Sequence, residues 1–281
     1  MSQGHVPDTA YWSGPGGQQW ARYNDFTENL LAPVTATLLA ATVAKPGERI
    51  VDIGCGCGML ALALAKQVGP KGFVLGIDVS AAMLAVGRRA APSGAKVELV
   101  EADATTYKFA ARDFDVLVSR HGVMFFADPS RAFANLRTAL KPGGRLVFSC
   151  FREPKLNPWA MTPLQAAYRF VPPLPRPGPE DPSPFAFADA ARVRRILGGA
   201  GFADIMLTPH DLMFDVGASG GLDAAVANVI EIGPGSRALD GQSDETRAKA
   251  VDAIRTALAP YVNGNAVKLG AAIWIASARN P

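Results

Sequence analysis

A chain of 281 residues, 49% of them hydrophobic, can bury the core of one large domain or of a domain with insertions. Its 28 Lys and Arg residues nearly balance its 25 Asp and Glu residues, and no block of like charges stands out. The largest basic cluster is Arg192, Arg194 and Arg195, on a predicted helix. We interpret this cluster as a solvated helix face and expect no nucleic-acid partner.

The sequence also argues against secretion and membrane insertion. The N-terminus lacks a basic region followed by an apolar run, so no signal peptide is expected. The apolar stretch 30–44 is too short to span a bilayer. Three cysteines, two of them one residue apart, make no disulfide framework. We therefore expect a soluble, cytoplasmic protein.

Helical and strand patterns alternate along the first half of the chain. Residues 16–44 look mainly helical, and a strand begins at Arg49 after Lys-Pro-Gly. A helix pattern precedes the strand run at 144–150. Asp128 suits the N-cap of this helix, and Pro129 suits its first turn. Near-continuous apolar strands alternating with helices indicate an α/β fold with a parallel sheet covered on both faces. The later strand runs are FVLGID (73–78), KVELVEAD (96–103), FDVLVSR (114–120) and GRLVFSC (144–150).

Two insertions interrupt this pattern. Ten of the 22 prolines lie between Pro154 and Pro184, around a short apolar helix, which favours an ordered loop or cap. A helix (189–199) and a strand (204–212) follow, and the apolar run 267–279 is typical of a core strand. We divide the chain into an N-terminal helical segment (1–47), a core (48–151), a cap insertion (152–186), a core continuation (187–216), a second cap insertion (217–265) and a final strand (266–281).

The glycine-rich turn VDIGCGCG follows the first strand. A dinucleotide fingerprint would need a third glycine at position 59, which is Met59. Asp78 ends the second strand, where a carboxylate can accept hydrogen bonds from both hydroxyls of a ribose. This feature alone does not separate a nicotinamide cofactor from other adenosine ligands. The third strand ends in Glu-Ala-Asp, which places Asp103 where an adenine amino group can donate.

These motifs together resemble those of the class I S-adenosylmethionine-dependent methyltransferases. VDIGCGCG is similar to their first motif, GIDVS to the ribose motif, EADAT to the adenine motif and LKPGGRLVF to the strand-five motif. The resemblance covers residues 11–151 closely and points to a bacterial subgroup that acts on small molecules. It implies a Rossmann-like sheet of seven strands, the last one antiparallel.

The resemblance also implies binding roles toward S-adenosylmethionine. Gly54 and Gly56 let the backbone approach the methionyl part closely, and Asp52 lies near its ammonium group. The resemblance also implies that Ser119, at the end of the fourth strand, lies beside the sulfonium. Cys55 and Cys57 are interpreted as small packing residues, and no metal site is expected. The ribose and adenine contacts are assigned to Asp78, Val79, Asp103 and Ala104.

His121 departs from the Phe that is common at its position in related sequences. An imidazole beside the methyl group can act as a general base, so His121 is the candidate catalytic residue; a packing role is the alternative. His5 and His210 are interpreted as structural. Arg120 suits an anionic substrate group, although a solvated arginine is the favoured interpretation.

The acceptor is left open among several classes. The chain lacks the Asn/Asp-Pro-Pro-aromatic motif of base methylation, the paired glutamates of arginine methylation and an acidic metal cluster. A small-molecule acceptor under a hydrophobic cap is favoured. The alternatives are a protein or RNA acceptor, or a protein that binds the cofactor without transferring methyl. The expected cap residues are Met124, Phe125, Phe126, Trp159, Phe185 and Phe187.

Overall fold

The computed structural model describes residues 9–178 and 180–281, so His5 lies outside the described residues. Within them, eight strands make one sheet system. The expected runs 73–78 and 114–120 are reproduced residue for residue. The strands are β1 (Arg49–Ile53), β2 (Phe73–Asp78), β3 (Val97–Glu101), β4 (Phe114–Arg120), β5 (Leu140–Phe151), β6 (Ala203–Asp215), β7 (Val262–Asn263) and β8 (Ala266–Arg279).

The main sheet has the order β3-β2-β1-β4-β5-β8-β6. Strands β1 to β5 run parallel, and β8 runs antiparallel to both of its neighbours, β5 and β6. The predicted seven-stranded Rossmann-like sheet with an antiparallel last strand is thus confirmed; β7 only pairs with the start of β8. Because the chain order reverses between β1 and β4, a crevice opens at their carboxyl ends.

Helices cover both faces of this sheet. The predicted helical stretch 16–44 is confirmed as two helices, whereas α10 was not expected. No helix in the described ranges has both the length and the apolar character that a membrane crossing requires. The helices are α1 (Thr9–Ser13), α2 (Pro15–Arg22), α3 (Asn24–Thr42), α4 (Met59–Val68), α5 (Ala81–Ala90), α6 (Pro129–Ala139), α7 (Pro158–Ala167), α8 (Ala190–Gly199), α9 (Gly221–Val229), α10 (Pro234–Leu239) and α11 (Asp244–Leu258).

Burial along the strands follows their position in the sheet. The central strands β1, β2 and β4 are buried over almost their whole length, as parallel strands between two helix layers must be. Along the edge strands β3 and β6, exposed residues alternate with less exposed ones. At the start of α6, the Asp128 carboxylate accepts a hydrogen bond from the Arg131 backbone N–H at 2.9 Å, which confirms the predicted N-cap.

The two inserted regions pack on each other beside the crevice. α7, from the first, contacts both α10 and α11, from the second. The fully buried Asn157 fixes the start of α7: its amide donates to the Arg152 and Glu153 carbonyls, and its oxygen accepts from the Ala272 N–H of β8.

The prediction that the arginines of α8 form a solvated face is wrong for one of them. Arg192 is buried; its guanidinium donates to the Ala186 carbonyl and pairs with Glu180 at 2.9 Å. It therefore ties the end of the first insertion to the core, and its guanidinium lies over the Phe187 ring at 5.7 Å from the ring centroid.

Candidate functional site

One cavity of about 420 Å³ opens at the carboxyl ends of the strands, across the point where the strand order reverses. A volume of this size suits a small-molecule site. Carboxylates line it at β1, β2 and β3, and aromatic side chains line it beside β5. We call the first group, Asp52, Asp78 and Asp103, the acidic end, and the second group, Phe151, Trp159 and Phe185, the aromatic end.

The glycine turn forms the floor of the acidic end because its backbone conformation excludes most side chains. Gly54 has φ +63°, and a Cβ there would lie 2.8 Å from the Gly122 Cα. The turn after β1 therefore packs directly against the turn after β4. Gly56 has φ +56° and donates its N–H to the Asp78 carboxylate at 2.8 Å.

Asp78 and Asp103 both lie in the cavity wall, each already holding its own loop. The second oxygen of Asp78 accepts from the Ser80 N–H at 2.8 Å, and burial raises the pKa of this carboxyl. Asp103 accepts from the Thr105 N–H at 2.8 Å. A carboxylate has about four acceptor positions, so each keeps capacity for a ligand hydroxyl or amino group. Val79 and Ala104 line the cavity beside them.

Asp52 is the polar group whose surroundings most clearly require a ligand. It is 0% exposed, and neither of its carboxylate oxygens has a hydrogen-bond partner among the described residues. Burial raises the pKa of Asp52 to about 8, and the nearby Arg120 charge opposes that rise. An orphaned buried carboxylate beside a cavity fits a cationic ligand group, such as the ammonium of an amino acid.

Ser119, by contrast, does not line the cavity. Its buried hydroxyl donates to the Ile53 carbonyl at 2.7 Å and accepts from the Gly122 N–H at 3.1 Å. It therefore joins the turns after β1 and β4. In the structure the Ser119 hydroxyl holds the contact between the two turns, and its expected place beside the sulfonium stays a prediction.

Arg120 is neither solvated nor free, in contrast to the favoured interpretation of its sequence. Its side chain is 11% exposed and forms a two-point ion pair with Glu28 of α3. It also donates to the Thr35 hydroxyl at 2.7 Å. Both Arg120 and Glu28 line the cavity near Asp52. The pattern of the sequence did not reveal Glu28, because 92 residues separate it from its partner.

His121 lies between the two ends, in a left-handed conformation with φ +65°. Its ring stacks on Phe151 at 4.2 Å between centroids, and its backbone N–H donates to the Ser149 carbonyl. The residue is 7% exposed, and neither ring nitrogen has a partner among the described residues. Burial, and then the Arg120 charge, lower the pKa of His121 to about 3. The ring is therefore neutral at physiological pH, with a pKa well below the value of about 6.5 that a free imidazole has.

The aromatic end is a continuous packing cluster. Phe151 contacts Trp159 at 5.3 Å and Phe185 at 6.0 Å between ring centroids. The Trp159 indole N–H donates to Asn157, so the same buried amide that starts α7 also orients this ring. Five of the six expected cap residues line the cavity. Phe187 does not: it is fully buried and packs against Phe133 and Phe148.

The N-terminal helices supply wall residues that sequence reasoning missed. Trp12 and Trp20 line the cavity, and Trp12 packs edge-to-face on Phe125 at 5.0 Å. Next to these wall residues, the Gln19 amide of α2 donates to the Glu231 carboxylate at 2.8 Å and to its carbonyl at 3.2 Å. The opening YWSGPGGQQW was the available signal, since it clusters aromatic residues without an apolar helix period.

The two cysteines of the glycine turn behave as packing residues. Both are buried; burial raises the pKa of Cys55 and raises that of Cys57 to about 12. They are therefore protonated thiols at neutral pH. Among the residues that the structure describes, no group of His, Cys, Asp and Glu is arranged to hold a metal.

Comparison with known proteins agrees with this geometry. Residues 50–144 match the family described as methyltransferase domain. The chain is 33% identical to aklanonic acid methyltransferase DauC of Streptomyces sp. (strain C5) over 47% of this chain and 61% of that one. It is 32% identical to demethylmenaquinone methyltransferase of Staphylococcus carnosus (strain TM300), over 46% and 54% respectively.

The fold is likewise that of a methyltransferase. Phosphoethanolamine N-methyltransferase 2 of Haemonchus contortus, solved with phosphomonomethylethanolamine and S-adenosylhomocysteine, superposes with a TM-score of 0.59 at 19% identity. The superposition covers 99% of this chain and 60% of that one.

Residues 50–144 of the chain therefore form a methyltransferase domain. The predicted family, enzyme class and cofactor, S-adenosylmethionine, are confirmed at this level. The matches span about a third to three fifths of the first three curated relatives' lengths. The reaction of the whole protein is therefore a matter for proposal.

Proposed function

We propose that the protein transfers a methyl group from S-adenosylmethionine to a small, largely apolar acceptor. The observation that carries this proposal is the single cavity with an acidic end and an aromatic end. Bound S-adenosylmethionine supplies an electrophilic methyl group on a sulfonium. The acidic end suits its amino acid, ribose and adenine parts, through Asp52, Asp78 with Val79, and Asp103 with Ala104.

Charge at the acidic end favours a cationic cofactor. The cavity lining carries more carboxylates than guanidiniums: Glu28, Asp52, Asp78, Asp103 and Asp128 against Arg120, Arg131 and Arg237. The Asp52 carboxylate has no partner among the described residues, which supports an ammonium group as its ligand. The close-packed turns at Gly54 and Gly122 leave no room for side chains between the cofactor and the sheet.

The acceptor is placed at the aromatic end, where Phe151, Trp159 and Phe185 offer apolar ring faces. Among the relatives, DauC is named for aklanonic acid and the staphylococcal enzyme for demethylmenaquinone. These names support an aromatic acceptor, without deciding whether oxygen, nitrogen or carbon receives the methyl group. An in-line displacement needs the acceptor to be aligned with the sulfonium and water to be kept out.

We assign His121 a positioning role within this scheme. A base with a pKa of about 3 has little tendency to take a proton at neutral pH, so the ring is a poor general base. Stacked on Phe151 between the two ends, it instead shapes the path between cofactor and acceptor. The acceptor then loses its proton to solvent or reacts in a form that is already ionised.

The two insertions and the N-terminal helices are proposed to close the cavity. The α7 helix and residues 172–178 and 180–186 cover the aromatic end, and the Gln19–Glu231 contact joins α2 to the loop between α9 and α10. A roof of this kind supports a small acceptor over a protein or RNA segment. It also supports the cap boundaries 152–186 and 217–265.

The test is acceptor-dependent formation of S-adenosylhomocysteine. The protein is incubated with S-adenosylmethionine and, separately, 1-naphthol, 1-naphthylamine, 1-naphthoic acid and a naphthohydroquinone, and products are identified by mass spectrometry. We expect Trp159→Ala to keep cofactor binding and lose most of the transfer, whereas Asp78→Ala loses both. Cofactor binding without transfer to any acceptor would favour a protein that holds the cofactor for another purpose.

A further inference from the structure

The guanidinium of Arg120 lies beside the orphaned carboxylate of Asp52. Asp52 on β1 pairs in register with Val118 on β4, two residues before Arg120. Because side chains alternate along a strand, Asp52, Val118 and Arg120 share one face of the sheet. Glu28 and Thr35 show that this is the face covered by α3. The Asp52 carboxyl group and the Arg120 guanidinium are therefore neighbours in the cavity wall.

The hydrogen bonds of Arg120 use three of its five N–H donors. Glu28 takes the end-on edge, with one oxygen on Nη1 and the other on Nη2. Thr35 takes the remaining Nη1 proton. The Nε–H and the second Nη2–H form the side-on edge of the guanidinium, and the described residues place no acceptor on it. That edge has the geometry for a second carboxylate.

We propose that the side-on edge of Arg120 binds the α-carboxylate of S-adenosylmethionine, while Asp52 takes its α-ammonium. Glu28 and Thr35 are positioning residues, because they fix the guanidinium plane from α3. This inference rests on the proposed function for its cofactor. It adds a binding residue, Arg120, to the glycine turn and the three aspartates.

The arrangement matches the ligand in charge and in shape. An α-amino acid group carries an ammonium and a carboxylate on one carbon. Its binding site therefore needs a carboxylate for the ammonium and, beside it, a cationic side chain for the carboxylate. The ion pair with Glu28 keeps Arg120 from collapsing onto Asp52, which leaves both groups for the ligand. The same pair ties ligand binding to α3 and so to the N-terminal helices that line the cavity.

The experiment compares two ligands that differ in the amino acid group alone. S-adenosylhomocysteine carries it, and 5′-methylthioadenosine lacks it. Both are titrated calorimetrically into the full chain, into Arg120→Gln, and into the double variant Glu28→Gln with Arg120→Gln, which does not leave Glu28 as a charge without its partner. Arg131→Gln, which removes an exposed arginine at the cavity rim, is the matched control.

We expect both Arg120 variants to lose about 10- to 100-fold in affinity for S-adenosylhomocysteine, with methylthioadenosine affinity within about twofold of the wild type. The control should leave the ratio of the two affinities unchanged. Equal losses for both ligands, or no loss for either, would overturn the assignment of Arg120. Methyl transfer is scored separately, so failure to turn over an acceptor would count against the proposed function and not against Arg120.

Discussion

The acidic end and the aromatic end of the cavity are held in place by different forces. At the acidic end, backbone groups fix the side chains: Asp78 accepts from Gly56 and Ser80, and Asp103 accepts from Thr105. At the aromatic end, ring packing does so, between Phe151 and two residues of the first insertion, Trp159 and Phe185. Hydrogen bonds to charged groups are directional, whereas apolar packing tolerates changes of shape. We therefore expect a rigid, specific cofactor site beside a more adaptable acceptor site.

The largest effect is expected from removing the best-anchored acid. Asp78→Ala should weaken S-adenosylhomocysteine binding by about 2–4 kcal/mol, because it removes charge-assisted hydrogen bonds to the ligand and the support of Gly56. Calorimetry measures this loss. Asp113→Ala, which breaks an exposed pair with Arg49 at the opposite edge of the sheet, is the control. An unchanged affinity for Asp78→Ala would contradict the assignment.

A second effect is expected in the pH dependence of ligand binding at the acidic end. Asp52 has a pKa of about 8 because burial disfavours its charge, and a cationic ligand group needs the charged form. S-adenosylhomocysteine affinity should therefore rise between pH 6 and pH 8, by up to about tenfold per pH unit. Methylthioadenosine, without the ammonium, should show a flat profile. A flat profile for both ligands would show that Asp52 does not meet the ammonium.

The same carboxyl predicts how stability depends on pH. Since its folded pKa is raised, the folded state holds a proton that the unfolded state has lost between about pH 4 and pH 8. The Asp52 contribution to the free energy of unfolding should therefore decline as pH rises across that window. Denaturant unfolding at several pH values, compared with Asp52→Asn, measures it. A difference between the two proteins that does not change with pH would contradict the raised pKa.

A smaller effect is expected at the boundary between the ends. His121→Phe should keep cofactor affinity and lower turnover by about tenfold at most, because the change costs one polar group and leaves the stack on Phe151. With a pKa of about 3, the ring stays neutral from pH 6 to pH 8, so wild type and variant should have the same pH–rate profile over that range. An acidic limb near pH 6.5 that only the wild type shows would restore the general-base role.

The smallest effect concerns the roof of the aromatic end. Limited proteolysis within residues 172–178 should slow by at least about twofold when S-adenosylhomocysteine is added, because ligand binding favours the closed state. Gln19→Ala, which removes the contact with Glu231, should reduce this protection. Equal cleavage with and without ligand would remove the support for a closing cap.

The contrast between the ends also explains what the sequence could predict. Asp52, Asp78 and Asp103 lie at or just beyond the carboxyl ends of β1, β2 and β3. Parallel strands bring these ends to one edge of the sheet, so local patterns sufficed to place them. Glu28, Trp12 and the Gln19–Glu231 contact depend on how distant helices pack, which no periodicity encodes. Ser119 and His121 show a third limit. The strand pattern placed them at the carboxyl end of β4, but the hydrogen bonds of Ser119 and the pKa of His121 are set by burial among residues far away in the chain.

The most direct measurement is a crystal structure of the protein with S-adenosylhomocysteine. The two-ended cavity predicts adenine against Asp103 and Ala104, the ribose on Asp78, and the amino acid group between Asp52 and Arg120. The aromatic end, at Phe151 and Trp159, should remain open for the acceptor. Density for the adenosine among those aromatic rings, or an acidic end that stays without ligand at saturating concentration, would contradict the division of the cavity into cofactor and acceptor sites.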